Sequence, residues 1–209
     1  MMKFSYNTVA LVFDIIDKIF FRLGKNNPRK AIYNLIPDDN INLLDVCTGT
    51  GSNVIKIAKD KPNVKITGID NSSGMLNVGL KKISKYKLNN IDFLLQDAAD
   101  MQFEKNYFDY AVISLILHEM DMNTAYKTLQ NTYNVLKDNG KLIVFEFIYP
   151  ENNKFFPNLA FKLVKKVEDD NLFPEFLAYN KEKYFMDNGF KIEKAHKFQY
   201  TVIYELIKI

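Results

Sequence analysis

The chain has 209 residues, 47% hydrophobic and 25% charged, a size and balance that suit one soluble domain with a substantial core. Its 28 basic and 25 acidic residues leave a net charge of +3, too small and too scattered to argue for a nucleic-acid partner. A lone cysteine, Cys47, excludes internal disulfides, and with two histidines, His118 and His196, no metal site is expected.

Met1–Phe13 lacks a charged-then-apolar leader pattern and no stretch approaches the length of a membrane span, so a cytoplasmic location is expected. Val9, Val12, Phe13, Ile16, Ile19, Phe20 and Leu23 recur at helical spacing, with Asp14, Asp17, Lys18 and Arg22 on the other face. This predicts an amphipathic helix packed on the rest of the chain. A helix lying on a membrane surface is the alternative, and a polar face not dominated by basic residues argues against it. Gly24 and Asn26-Asn27-Pro28 end that helix, and Pro28 suits the first turn of a second one through Leu35.

After Pro37 short apolar runs alternate with helical segments. The expected strands are Ile41–Val46, Val64–Ile69, Ile91–Leu95, Tyr110–Leu115 and Leu142–Ile148; the helices are Asn53–Lys59, Ser72–Ser84 and Asn123–Leu136. Gly140 reads as turn chemistry before the fifth strand. Such alternation implies right-handed crossovers and a parallel sheet covered on both faces, and the apolar runs are continuous, as doubly covered strands should be. Pro150–Asn180 is long and aromatic, without a clear strand. A helix over Lys181–Asn188 follows, closed by Gly189. Then Lys191–Phe198 and Thr201–Lys208 are joined by a link so short that they must form an antiparallel hairpin. The predicted fold is α/β, Rossmann-like and doubly wound: a mostly parallel seven-stranded sheet ending in a C-terminal antiparallel hairpin. The single domain divides into N-terminal helices (1–36), a cofactor-binding core (37–149), a substrate cap (150–180) and the final helix and hairpin (181–209).

The strongest motif, Asp45-Val46-Cys47-Thr48-Gly49-Thr50-Gly51-Ser52-Asn53, lies where the first strand ends and a helix begins. Its glycines permit a tight turn and close approach of a ligand. A dinucleotide fingerprint would need a third glycine where Val54 stands, and the Gly-Lys-Ser/Thr of a P-loop is absent. Asp45 disfavours a phosphate and suits an ammonium. Asp70, nineteen residues past Gly51, stands where an acid reaches a ribose diol in nucleotide-binding α/β folds. The competing reading is that Asp70, Asn71 and Ser72 only cap the next helix. Asp97, after the third strand, can accept from an exocyclic amine while the N–H of Ala98 donates to a ring nitrogen. On its own it is an ordinary loop carboxylate.

Together with Phe108-Asp109-Tyr110-Ala111-Val112-Ile113-Ser114, these stretches resemble class I S-adenosylmethionine-dependent methyltransferases, from about Pro37 to the C-terminus. Asp45–Gly51, Gly74-Met75-Leu76 and Val144–Pro150 are similar to the small-molecule enzymes of menaquinone and ubiquinone biosynthesis. One departure is Cys47, which stands at the first glycine of the superfamily's motif. The resemblance implies S-adenosylmethionine as cofactor and S-adenosylhomocysteine as product. It implies that Asp45, with Cys47, Thr48, Gly49, Thr50, Gly51 and Asn53, holds the methionine portion, Asp70 with Asn71 and Ser72 the ribose, and Asp97 with Ala98 the adenine. Met75 would pack on the adenine ring, and Ser114 and Leu115 would meet the methionine end through their backbone.

Methyl transfer needs in-line approach, and a base only if the acceptor carries a proton. His118 is the leading base, because histidine ordinarily titrates near neutrality. Glu146 is a comparable candidate: it interrupts the apolar strand Leu142–Ile148, and a carboxylate there must find a partner or a water-filled cleft. Tyr6 could close over the sulfonium through its ring face. Phe155, Phe156, Phe161, Phe173, Phe176 and Tyr179 in Phe147–Tyr179 suggest a cap over a small apolar or amphipathic acceptor, with a core helix as the plain alternative. A nucleic-acid or protein methyltransferase and a non-catalytic cofactor-binding protein are the rival functions.

Overall fold

The computed structural model describes residues 27–148, 172–198 and 201–209. Tyr6, the helix expected over Val9–Leu23, and Phe155, Phe156 and Phe161 lie outside these residues. Strands Asn42–Val46 (β1), Lys65–Asp70 (β2), Ile91–Leu95 (β3), Phe108–Ser114 (β4), Leu136–Phe147 (β5), Phe190–Lys197 (β6) and Thr201–Lys208 (β7) form one sheet in the order β3-β2-β1-β4-β5-β7-β6. The first five run parallel. β7 pairs antiparallel with both β5 and β6. The strand order reverses between β1 and β4, the switch point at which open α/β sheets bind ligands.

The described helices are Pro28–Leu35 (α1), Val54–Asp60 (α2), Ser73–Tyr86 (α3), Met122–Val135 (α4), Leu172–Ala178 (α5) and Lys181–Met186 (α6). Side-chain caps start several of them, each satisfying N–H groups that a helix's first turn leaves open. Asn27 accepts from the Lys30 N–H, Ser72 from Met75, Asp121 from Asn123 and Thr124, and Asn180 from Lys183.

Successive residues of a strand point to opposite faces, and the core divides accordingly. Leu44, Val46, Ala111, Ile113, Leu142 and Val144 pack against Ala125 and Leu129 of α4 and Phe185 of α6. Leu43, Val112, Ile143 and Phe145 pack on the other face with Ile32, Val54, Ile57 and Leu76 from α1, α2 and α3. Among the described residues no helix is long and apolar enough to cross a membrane.

One expected boundary moves. β5 starts at Leu136, directly after α4, so Gly140 sits inside a strand rather than in a turn before it. The ladder explains this: Phe108 pairs with Leu136 but Tyr110 pairs with Lys141, so extra residues of β5 bulge out opposite Asp109. The Asp138-Asn139-Gly140 turn chemistry is absorbed in that bulge.

Phe93 of β3 fixes the glycine loop from below. A Cβ placed at Gly51, Gly68 or Gly79 would come within 2.7, 2.7 and 2.3 Å of its ring. Three glycines on three elements thus make room for one phenyl ring. Gly79 lies in the middle of α3, where helix propensity alone favours alanine by about 1 kcal/mol. Overpacking against Phe93 should win instead. Gly79→Ala is expected to destabilise the protein by about 1–3 kcal/mol in denaturant unfolding, and an unchanged or raised stability would show that the ring has room to move.

Candidate active site

The site lies at the carboxyl ends of β1, β2 and β4. After β1 the backbone turns through left-handed conformations at Cys47, Gly49 and Gly51, with φ of 54°, 56° and 78°. The Thr48 N–H donates to the Ile69 carbonyl at 2.8 Å, tying the loop to β2. Lys82 of α3 donates to the Thr50 carbonyl and hydroxyl from above. A Cβ added at Gly49 would meet nothing within 4 Å, so the loop leaves open space there.

Asp70 closes the turn. One of its oxygens accepts from the Gly49 N–H and the other from the Ser72 N–H, both at 2.8 Å. A carboxylate offers about four lone-pair sites, so two remain for a diol. Asp70 therefore orders the glycine loop, joins the α3 entry and keeps acceptor capacity.

Asp45 is 1% exposed. Its Oδ2 accepts from the Thr48 hydroxyl at 2.6 Å, while Oδ1 is buried with no hydrogen-bond partner among the described residues. Burial pushes the Asp45 carboxyl up to about 6. The Thr48 hydrogen bond, the Arg29 charge and Asn53 oppose the rise, and Asp70 adds to it. A buried acceptor with an idle oxygen calls for a cationic donor.

Arg29 of α1 is a residue that motif reading missed. Its guanidinium donates to Asn53 Oδ1 and lies 5.2 Å from the centre of the Phe145 ring. Asn53 in turn donates to the Ser114 hydroxyl at 2.8 Å. Nothing in its sequence neighbourhood marks Arg29, which merely follows the Pro28 that opens α1.

Cys47 is half-buried, and its thiol is pushed up by burial first and then by Asp70, Asp45, Asp97 and Glu119. It is no nucleophile. These four carboxylates make the surroundings of Cys47 acidic. Asp97 itself is exposed and accepts from the Ala99 N–H at 2.8 Å, with Ala98 buried beside it. Asn71 is exposed and Met75 half-buried in the first turn of α3, so these stand at the rim while Asp45, Thr48, Gly49 and Asp70 meet directly.

The other side of the site hangs from Glu146, which is fully buried. Its Oε1 accepts from the Ile116 and Leu117 N–H groups at 2.9 and 2.8 Å. Its Oε2 accepts from the Phe147 N–H at 3.2 Å and lies 2.6 Å from His118 Nδ1. Leu115 takes a left-handed φ of 53°, and its N–H donates to the Phe145 carbonyl at 2.8 Å. His118 is 1% exposed, with the Phe147 and Phe173 rings edge-on at 5.1 and 5.2 Å. Of the aromatic residues expected in a cap, Phe173 and Phe176 are buried in α5, which packs on the short helical turn Leu117–Glu119, and Tyr179, just after α5, is half-buried. Lys181 is pulled down to about 8 by burial, against the attraction of Glu146. Burial pushes Tyr204 up to about 12, and Glu146 adds to the rise.

Residues 37–198 match the family model described as a methyltransferase domain. The chain belongs to the methyltransferase family. A ubiquinone/menaquinone biosynthesis C-methyltransferase of Geotalea daltonii is 29% identical over 203 residues, 94% of this chain and 83% of that protein. A demethylmenaquinone methyltransferase of Bacteroides fragilis is 33% identical over 148 residues, 70% of this chain, which spans 60% of that relative. A methyltransferase structure from Aquifex aeolicus, described as S-adenosylmethionine-dependent, superposes with a TM-score of 0.73 at 18% identity, covering 99% of this chain and all of its own. The residues present fit S-adenosylmethionine: an idle buried oxygen on Asp45 suits the ammonium, there is open space over Gly49, and Asp70 has spare acceptor capacity for the ribose.

The Asp45 assignment carries a pH signature. Only the ionised carboxylate attracts an ammonium, and in the free protein this group titrates near 6. Affinity for S-adenosylhomocysteine should therefore rise with pH up to about 6 and level off above it. Below that point it should fall by up to about tenfold per pH unit. The window lies below the range where an α-ammonium titrates, about 7.7–8.0. Calorimetry between pH 5 and 7 checks this, and Asp45→Asn should bind weakly with no such slope.

Proposed function

We propose that this methyltransferase adds a methyl group to a carbon of a reduced, quinone-type aromatic ring. The observation that carries the reading is the buried His118–Glu146 pair among aromatic rings at the carboxyl end of β4, beside the cofactor loop. Two relatives named for quinone-ring methylation support the acceptor class. Small size, apolar surroundings and an acidic pocket fit it better than a nucleic acid would.

When bound, S-adenosylmethionine supplies a methyl on a sulfonium, and transfer breaks that C–S bond to leave S-adenosylhomocysteine. A quinone ring is electron-poor and resists methylation, whereas its hydroquinone becomes a carbon nucleophile once a hydroxyl loses its proton. Donation from His118 Nδ1 to Glu146 leaves Nε2 as the basic nitrogen, and Nε2 takes that phenolic proton. The ring carbon then forms the new C–C bond, giving a dienone. Its hydrogen leaves as a proton to solvent while the imidazolium returns its proton to the ring oxygen, so aromaticity and the neutral His118 are both restored and one proton is released in all. Glu146, whose oxygens already accept from three backbone N–H groups and meet the imidazole, acts as a positioning residue rather than as a second base. Phe147 and Phe173 keep water from the imidazole. Asp70 and Asp97 recognise the nucleoside, and the enzyme works in the cytoplasm, in keeping with its lone cysteine.

Replacing the base should separate chemistry from binding. With dithionite-reduced naphthoquinone as acceptor, His118→Gln is expected to lower kcat by roughly 10²–10⁴-fold and to leave S-adenosylhomocysteine affinity within about twofold. Release of S-adenosylhomocysteine measures the first and calorimetry the second. A kcat within threefold of wild type would remove His118 from the reaction.

A further inference from the structure

Arg29 stands where the glycine loop, β4 and β5 come together. It lies in the first turn of α1, and its guanidinium donates to Asn53 Oδ1 at the end of the loop. Asn53 Nδ2 donates to the Ser114 hydroxyl at 2.8 Å, at the end of β4. The guanidinium also lies 5.2 Å from the centre of the Phe145 ring in β5. A positive charge is thus placed at the carboxyl edge of the sheet, beside the switch point between β1 and β4.

That charge is held in position from both directions. Asn27 caps the start of α1, and Lys61, buried at the end of α2, donates to the Tyr33 and Ile36 carbonyls at its close. Ile32 and Ile36 anchor the helix in the core. Asn53 occupies the N-cap position of α2, yet its side chain makes no capping bond. An asparagine there ordinarily accepts from the first N–H groups of its own helix. Here the amide forgoes that bond and joins Arg29 to Ser114 instead.

The surrounding charges indicate what Arg29 is for. Asp70, Asp45, Asp97 and Glu119 all act on Cys47 within the loop. Such surroundings attract an ammonium and repel a carboxylate. The amino-acid end of S-adenosylmethionine carries both groups on one carbon. With its ammonium at the idle oxygen of Asp45, its carboxylate lies next to that carboxyl group and needs a cation there. Arg29 is close enough for its charge to act on Asp45. A guanidinium presents several N–H donors in one plane, so it can keep Asn53 and still meet both oxygens of a carboxylate.

We infer that Arg29 takes the carboxylate of the cofactor's amino acid, so that Arg29 and Asp45 together read a zwitterion and reject sulfur-linked nucleosides that carry only the amine. The inference rests on the fit to S-adenosylmethionine given above and adds the residue that sets this selectivity. Sites built to bond a group discriminate strongly against an analogue that lacks it.

Calorimetry on the full chain at neutral pH tests this with two ligands: S-adenosylhomocysteine and its decarboxylated analogue, which keeps the nucleoside, the sulfur and the amine. Wild type is expected to bind S-adenosylhomocysteine roughly 10- to 100-fold more tightly than the analogue. Arg29→Met should lose that preference and bind the analogue as well as wild type does or better, because the amine no longer shares Asp45 with a fixed cation. Arg29→Lys keeps the charge but not the planar fork and should fall between the two. Equal affinity of wild type for both ligands would overturn the inference and leave the cofactor in place. A preference that survives in Arg29→Met would overturn it too and pass the role to another cation, with Lys82 at Thr50 the first to try. Loss of both ligands alike in Arg29→Met would show that Arg29 serves the loop rather than the carboxylate. Should Arg29→Met fail to fold, Arg29→Lys decides: a reduced preference upholds the inference and an undiminished one overturns it. Wild type that binds neither ligand would defeat the cofactor reading itself, and this inference with it.

Discussion

Glu146 brings a carboxylate into the middle of a packed strand, fully buried, and the acceptor side of the site follows from how that group is satisfied. Leaving it unpaired would cost several kcal/mol. The chain spends three backbone N–H groups and one imidazole nitrogen on it. Two of those N–H groups come from Ile116 and Leu117, so the segment leaving β4 is tied to β5 rather than to itself. The left-handed turn at Leu115 and the ring position of His118 are consequences of that tie. A buried, fully engaged partner holds the His118 ring at a fixed angle without adding flexible contacts.

The cofactor side works on the opposite principle. Asp70 is partly committed to the protein, holding Gly49 and Ser72, whereas Asp45 keeps one buried oxygen idle. Arg29 and Asn53 temper the resulting strain on Asp45 without quenching it. The pocket thus carries an unmet demand for positive charge, of the kind an ammonium group would meet. On one side of the switch point a carboxylate is saturated to hold geometry, and on the other a carboxylate is left short to bind.

Much of this was legible in the sequence because it depends on short-range rules. Continuous apolar runs marked the doubly covered strands, and Pro28 and Ser72 announced helix starts. The hairpin could be read from the short link before Thr201. Asp45 and Asp70 were found because they stand at strand ends, a position the alternation itself defines. His118 and Glu146 were each singled out, but their contact was not, since it depends on the register that sets Ser114 beside Phe145. Arg29 escaped notice because its partners are 24 and 116 residues away. The start of β5 was misplaced because Asp138-Asn139-Gly140 has turn chemistry that a bulge uses equally well.

The arrangement around Glu146 turns on which imidazole nitrogen carries the proton. NMR of the His118 ring nitrogens at neutral pH, in the cofactor-bound protein, reads this directly. The expected spectrum shows a proton on Nδ1, shared toward Glu146, and a lone pair on Nε2, with Glu146→Gln shifting the proton to Nε2. A wild-type imidazole protonated on Nε2 with a bare Nδ1 would contradict the role given to the pair.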